Sequence, residues 1–133
     1  MPPGKPQGLH YVLVVLACAI AGVPVAAHHS AAAVYDADHV LTLSGQVSEF
    51  LWRNPHCFLY IDVDAGPLKG HRYVVEMSSL GVLRNQGWTR LTLKPGDALS
   101  IDVLPARMRK DAGLCRDCLI RINGKVTKAS LVQ

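Results

Sequence analysis

Residues 40–52 read VLTLSGQVSEFLW, and this stretch decides the fold. The run is long and rich in β-prone residues, which predicts a long β-strand. The single Gly45 interrupts the run. Because a glycine inside a strand often marks a bend or a close approach of backbones, we expect this strand to bend and to serve two edges of a small barrel.

Two more strands follow in the sequence. Asn54-Pro55 predicts a turn after the first strand. Residues 57–64 (CFLYIDVD) and 72–77 (RYVVEM) then have strand character, and residues 65–70 form a polar loop between them.

The pattern then changes to that of a short helix. Ser78 or Ser79 is suited to cap a helix that runs to about Asn85, and Gly87 is suited to end it. A turn at residues 93–97 (LKPGD) comes before the next strand.

The last third of the chain returns to strands. Residues 98–104 alternate as a fourth strand, and residues 118–122 and 125–131 flank Asn123-Gly124, a strong hairpin signal. The basic segment between them, which contains Cys115 and Cys118, is predicted to be a loop.

Three strands, a short helix and further strands give the element order of an OB-fold, a small Greek-key β-barrel. We therefore predict a mainly β, OB-like barrel domain over residues 40–133, with one short helix. An open β-sandwich with one helix is compatible with the same pattern.

The first 27 residues predict an export signal. Lys5 is followed by an almost wholly apolar run over residues 9–22, and Val25-Ala26-Ala27 provides the small residues of a cleavage site. With Gly22 and Pro24, the run is too short for a stable membrane span. We expect a signal peptide over residues 1–27, a mature N-terminal segment over 28–39 and a periplasmic or secreted location. Lipidation at Cys18 is the disfavoured alternative.

Charge is unevenly distributed. The chain has a formal net charge of +4, and its last quarter is basic. In an exported protein this segment suggests an anionic envelope component or an acidic protein partner rather than nucleic acid, and the alternative is an ordinary solvated face. The basic residues concerned are Arg107, Arg109, Lys110, Arg116, Arg121, Lys125 and Lys128.

Cleavage after Ala27 makes His28 the first residue of the mature chain. An N-terminal histidine offers its α-amine and its ring Nδ1 to one metal ion. Cleavage after Ala26 instead places His29 third, where it can bind Cu(II) together with the amine and two backbone amides. His39 and His71 lack neighbours with ligand spacing and are expected to be surface residues.

Three cysteines remain after cleavage, in a compartment that permits disulfides. Cys115 and Cys118 can close a small loop or stay as free thiols, and Cys57 is left unpaired within its strand. One CxxC motif supplies only half of a tetrahedral zinc site.

Several short motifs of the sequence resemble those of a family of exported bacterial proteins, domain of unknown function 6152. The resemblance covers about residues 28–105, and it implies a location and an architecture but no reaction. The chain differs from the family pattern at Cys115–Cys118, where a glycine-containing polar loop is expected. The motifs that carry the resemblance are HHS at residues 28–30, LSGQV at 43–47, WRNPH at 52–56, Glu76 with Ser79, GWTR at 87–90 and LKPGD at 93–97.

The leading functional hypothesis is a copper site. His28, through its amine and ring, and His56 would supply three nitrogen ligands, which Cu(II) binds more tightly than other divalent first-row metals do. Glu76, on the next strand, is the candidate to orient His56 from the second coordination shell. The alternative is that the terminal histidines are solvated and that His56 only hydrogen-bonds within a turn.

The second hypothesis is a ligand- or protein-binding barrel without metal, which uses Trp52, Arg53 and Trp88 together with the basic segment after Ala106. Packing of both tryptophans in the core is the simpler interpretation. An oxidative copper enzyme is disfavoured because it also needs an open metal site and a substrate surface. No nucleophile elbow or phosphate-binding loop is present, so we expect binding rather than catalysis.

Overall fold

The computed structural model describes residues 31–129, with side chains described as far as Thr127. The predicted signal peptide, Cys18, His28 and His29 lie outside this range. Neither helix within it is long and apolar enough to cross a membrane. The elements are α1 (Ala31–Val34), β1 (Leu41–Leu51), β2 (Phe58–Val63), β3 (Arg72–Glu76), α2 (Leu80–Asn85), β4 (Ala98–Pro105), β5 (Ala112–Leu114), β6 (Cys118–Ile122) and β7 (Lys125–Ala129).

The first five strands close into a barrel. Strand β1 pairs antiparallel with both β2 and β4, β2 pairs antiparallel with β3, and β4 pairs antiparallel with β5. The parallel pairing of β3 with β5 completes the ring in the order 1-2-3-5-4-1. The predicted OB-like barrel is confirmed, and the open sandwich is wrong. A β6–β7 hairpin extends the sheet from the edge of β4.

Gly45 lies where three strands meet. It is the register partner of Val63 on β2 and of Leu99 on β4. A Cβ atom at this position would overlap the carbonyl oxygen of Asp62. The glycine therefore permits the close approach that lets one strand serve two edges, as the sequence predicts, and a register irregularity between Val47 and Glu49 follows it.

Alternation along the strands fills the barrel interior. On β2 and β3, for example, Leu59, Ile61, Tyr73 and Val75 are buried while their neighbours face outward. The buried hydroxyl of Tyr73 has a hydrogen-bond partner, because it donates a 2.6 Å hydrogen bond to the carbonyl oxygen of Ala112. Burial raises the pKa of Tyr73 to about 12.

Helix α2 lies between β3 and β4, as predicted. The Ser79 side chain caps it by accepting a hydrogen bond from the Val82 amide, at 3.5 Å. Leu83 is fully buried and anchors the helix to the core. Gly87 follows with a φ of 81°, a left-handed conformation that suits glycine at the end of a helix.

Two elements differ from the prediction. The segment predicted as one basic loop contains β5, and a second short helix, α1, lies before the barrel. Strand β5 has only three residues, too few for a periodic pattern, and its backbone is held by partners on β3 and β4. Strand β7 ends at Ala129 within the described range, and the remaining residues predicted for it lie outside.

Candidate functional site

His56 lies at the end of the turn between β1 and β2. The next residue, Cys57, is fully buried, and its backbone is fixed by hydrogen bonds to Ser78 and from Met77, at 3.1 and 2.9 Å. This pairing holds the backbone beside His56, while the His56 side chain remains 49% exposed. The backbone beside His56 is therefore held in place while its imidazole remains accessible to solvent.

Glu76 lies next to His56 on the outward face of β3. It is the last residue of β3 and the register partner of Phe58, two positions after His56. The His56 Nδ1 lies 2.5 Å from Glu76 Oε1. The structure thus brings together two residues that the sequence selects, and their role at a metal stays a prediction.

Tyr35 occupies the second oxygen of the same carboxylate. Its hydroxyl donates a 2.5 Å hydrogen bond to Glu76 Oε2, across 41 positions in the sequence. Burial, with this hydrogen bond to the carboxylate as a further cause, raises the pKa of Tyr35 well above its ordinary value. Tyr35 is then the neutral donor in this cluster at physiological pH.

The segment that carries Tyr35 is attached to the barrel along its length. We call residues 31–36 the N-terminal arm. Tyr35 forms a β-bridge with Ala106, and the Asp36 amide donates a 2.8 Å hydrogen bond to the Pro105 carbonyl. The Arg107 amide donates to the Val34 carbonyl at 2.9 Å. The arm therefore docks beside the loop between β4 and β5.

The Arg107 side chain strengthens this docking. Its Nε donates a 3.2 Å hydrogen bond to the Ala32 carbonyl, and its Nη2 lies 3.5 Å from the Asp36 carboxylate. Arg109, two residues later, forms two contacts with Asp111, at 3.1 and 2.8 Å. Two of the cations that the sequence assigns to a partner surface are thus paired with carboxylates of the chain.

A cavity of about 370 Å³ separates the arm from the barrel. Ala31 and Val34 of the arm line one side. We call this space the His56 cavity. Its other lining residues are Tyr35, His56, Glu76, Met77 and Leu114.

The remaining residues that the sequence analysis names lie either on the surface or in the core. The His39 Nδ1 contacts Asp36 at 2.8 Å on the surface, and this contact is the main cause of a lowered Asp36 pKa. His71 is exposed. Trp88 is buried in the core, and Trp52 packs partly buried against it, with Phe50 in ring contact with both. Trp88 is thus unavailable as a stacking surface.

Cys115 and Cys118 are joined by a disulfide that connects β5 to β6. Cys57 is free and buried, and burial raises the pKa of its thiol. A buried thiol that resists ionisation is a poor metal ligand or nucleophile.

Metal-ligand candidates within residues 31–129 do not form a complete site. No group of three or more His, Cys, Asp or Glu side chains lies close enough there to hold a metal ion. His28 and His29 lie outside the described residues, so only the His56–Glu76 part of the predicted set is described.

Sequence reasoning missed Tyr35. It has no motif spacing to His56 or Glu76, and its role depends on the docking of the arm. The only sequence signal available was its position shortly after the two histidines, which is weak for a single tyrosine.

The fold and the site define a closed five-stranded β-barrel protein with a His–Glu–Tyr cluster between the barrel and the N-terminal arm. The chain belongs to a family of unknown function, DUF6152, whose model matches residues 15–116. The match includes the arm, the barrel strands and every residue of the cluster. No curated protein matches the chain, and no solved structure matches it.

Proposed function

We propose that this protein is an exported metal-binding protein and that its metal is copper. The ligands in this proposal are the α-amine and Nδ1 of His28 and the Nε2 of His56. The observation that carries it is the contact between His56 Nδ1 and Glu76. A histidine that gives one ring nitrogen to a carboxylate has its other nitrogen oriented for a metal, a common arrangement around metal ligands.

Chain reach supports the proposal. Ala31 lines the same cavity as His56 and Glu76, and His28 precedes Ala31 by three residues. An extended chain covers roughly 3.3–3.6 Å per residue, so three residues can span about 10 Å. A mature terminus at His28 is therefore within reach of His56 without any change in the barrel.

The chemistry of the donors favours copper. Amine and imidazole nitrogens are borderline ligands that bind Cu(II) more tightly than the neighbouring divalent metals. If cleavage instead follows Ala26, His29 becomes the third residue and binds Cu(II) with the amine and two backbone amides. That arrangement makes no use of His56, so the two forms are distinguishable.

The test is native mass spectrometry of the protein recovered from the cell envelope, with and without one equivalent of Cu(II). We expect a mass that begins at His28 and one retained copper. The His56→Ala variant should bind copper more weakly by about tenfold or more, because even outer-shell partners change metal affinity by that amount. His71→Ala, at an exposed histidine, is the matched control and should retain copper normally.

Three results oppose the proposal. A protein that begins at His28 and retains no copper contradicts metal binding. Equal copper affinity in the His56→Ala and His71→Ala variants contradicts the role of His56. A mass that begins at Ala27, with copper retained by the His56→Ala variant, favours the site that uses His29.

A further inference from the structure

The outer face of β2 and β3 changes character along its length. At one end, Arg72 Nε contacts Asp62 Oδ1 at 2.8 Å, a typical solvated ion pair. At the other end, the outward cross-strand pairs are Phe58–Glu76 and Tyr60–Val74. Alternate positions on these strands fill the core, so the half-buried Phe58, Tyr60 and Val74 have no role in the barrel interior.

A second cavity, of about 250 Å³, opens over this apolar end. Besides strand residues, it is lined by Tyr35 of the arm, by Arg53 from the β1–β2 loop and by Arg109 from the β4–β5 loop. We call it the Arg53 cavity. In OB-folds the face of strands 2 and 3, with the loops after strands 1 and 4, is where oligosaccharides and oligonucleotides bind.

The charged groups left free in the Arg53 cavity are guanidinium donors. Both oxygens of Glu76 are already engaged, one by Tyr35 and one by His56. Arg53 has no carboxylate partner within residues 31–129, and its guanidinium lies 5.6 Å from the centroid of the Phe58 ring. Arg109 contacts Asp111 through Nε and Nη2, which leaves the Nη1 donors for a ligand.

Size limits the ligand. Sites for drug-sized molecules have volumes of roughly 300–1,000 Å³, and the Arg53 cavity is smaller. One six-membered ring fits this space better than an extended molecule. Aromatic and apolar walls suit the faces of such a ring, and an unpaired guanidinium suits a carboxylate.

We infer that the Arg53 cavity binds a six-membered ring that carries one carboxylate. The carboxylate pairs with Arg53, and the ring packs against Phe58, Tyr60 and Val74. The same chemistry is found in a uronic acid of an envelope polysaccharide and in a free aromatic acid, and the probes below separate these two sources. This site needs no metal and goes beyond the proposed copper function.

The test is a titration of the ¹⁵N-labelled protein followed by NMR, in the presence of EDTA so that metal does not contribute. The probes are glucuronate and benzoate, and glucose and benzyl alcohol are their uncharged matches. We expect one charged probe to shift the amides of Tyr60, Val74 and Gly113 saturably. Its uncharged match should bind about tenfold more weakly, the usual effect of losing a charge-assisted hydrogen bond.

Two variants make the test specific. Arg53→Gln removes the charge at an exposed position and should weaken binding of the charged probe about tenfold. Arg116→Gln changes another exposed arginine, in the turn between β5 and β6, and should bind like the unaltered protein. A glucuronate response identifies a polysaccharide source, and a benzoate response identifies an aromatic acid.

The inference is overturned if neither charged probe shifts these amides saturably. It is also overturned if Arg53→Gln binds the probe as tightly as the unaltered protein. Equal losses of probe affinity in Arg53→Gln and Arg116→Gln would mean general attraction to a basic surface, which contradicts a specific binding site at Arg53.

Discussion

Tyr35 and His56 are joined through the two oxygens of one carboxylate. The Tyr35 hydroxyl donates to Glu76 Oε2 and the His56 Nδ1 lies against Oε1, each at 2.5 Å. One side chain from β3 thus connects the N-terminal arm to the β1–β2 turn. The orientation of the imidazole and the docking of the arm therefore depend on the same group.

We predict that Glu76→Gln weakens copper binding about 10- to 100-fold, as the loss of outer-shell partners commonly does. The amide keeps the size of the carboxylate but loses its charge, so His56 is held less firmly in the orientation that exposes Nε2. Competition with a chromophoric Cu(II) chelator measures the change.

The matched control is Glu49→Gln, at an exposed position on β1, which should leave copper affinity unchanged. If Glu76→Gln competes for copper as well as the unaltered protein does, Glu76 does not support a metal ligand.

We predict that Tyr35→Phe loosens the N-terminal arm. It removes one hydrogen bond to a carboxylate, worth about 1.5–3 kcal/mol, and leaves the β-bridge to Ala106 in place. Hydrogen exchange should accelerate at the amides of Asp36 and Arg107, which donate the hydrogen bonds that join the arm to the barrel. Tyr60→Phe is the control, because Tyr60 lies outside the arm, and it should leave these amides protected. Unchanged exchange in Tyr35→Phe would mean that the backbone contacts alone hold the arm.

We predict that Gly45→Ala destabilises the barrel by about 1–3 kcal/mol, the usual range for overpacking. Its added Cβ would overlap the Asp62 carbonyl, where β1 approaches β2. Urea denaturation measures the free energy of unfolding. Gly81→Ala is the contrasting variant, because an added Cβ at this exposed position of α2 meets only Ser79 Oγ, at 4.0 Å. It should stabilise the protein by about 0.5–1 kcal/mol. A similar response of both variants would contradict the special role of Gly45.

We predict a pH-dependent contribution from Asp97. Asn123 Nδ2 donates to its Oδ1 at 2.9 Å and the Lys94 amide to its Oδ2 at 2.8 Å. These bonds, that from Asn123 first, lower the pKa of Asp97 below its ordinary value. A lowered folded-state pKa stabilises the fold at neutral pH, and this stabilisation disappears as pH falls through that pKa.

Asp97→Ala should therefore unfold more easily by about 0.5–1 kcal/mol at neutral pH, a value kept small because the bonds are solvent-exposed. The difference from the unaltered protein should narrow below about pH 4. Urea denaturation across this pH range measures it, with Asp64→Ala at an exposed loop position as the control. A difference that stays constant with pH would show that the carboxylate charge does not matter.

Most elements could be predicted because they depend on near neighbours in the chain. The β1 pattern, the Ser79 cap and the Asn123-Gly124 hairpin each rest on a few consecutive residues. Gly45 also indicated a bend, since few other reasons place a glycine within a strand.

The candidate site could be predicted only in part. The chemistry of His56 and the place of Glu76 on the neighbouring strand indicate both residues, and the register of β2 with β3 brings them into contact. Arg107 and Arg109 were assigned to a partner surface because a sequence shows charges without their partners. In the fold, Asp36 and Asp111 match them.

The sequence by itself determined the main strands and the capped helix in their order along the chain, together with the strand that bends at Gly45, because periodicity and turn chemistry act within a few residues. Only the tertiary structure decided β5 and the Tyr35–Glu76–His56 cluster. A three-residue strand forms only when two existing edges receive it, and a hydrogen bond across 41 positions forms only when the arm docks on a closed barrel.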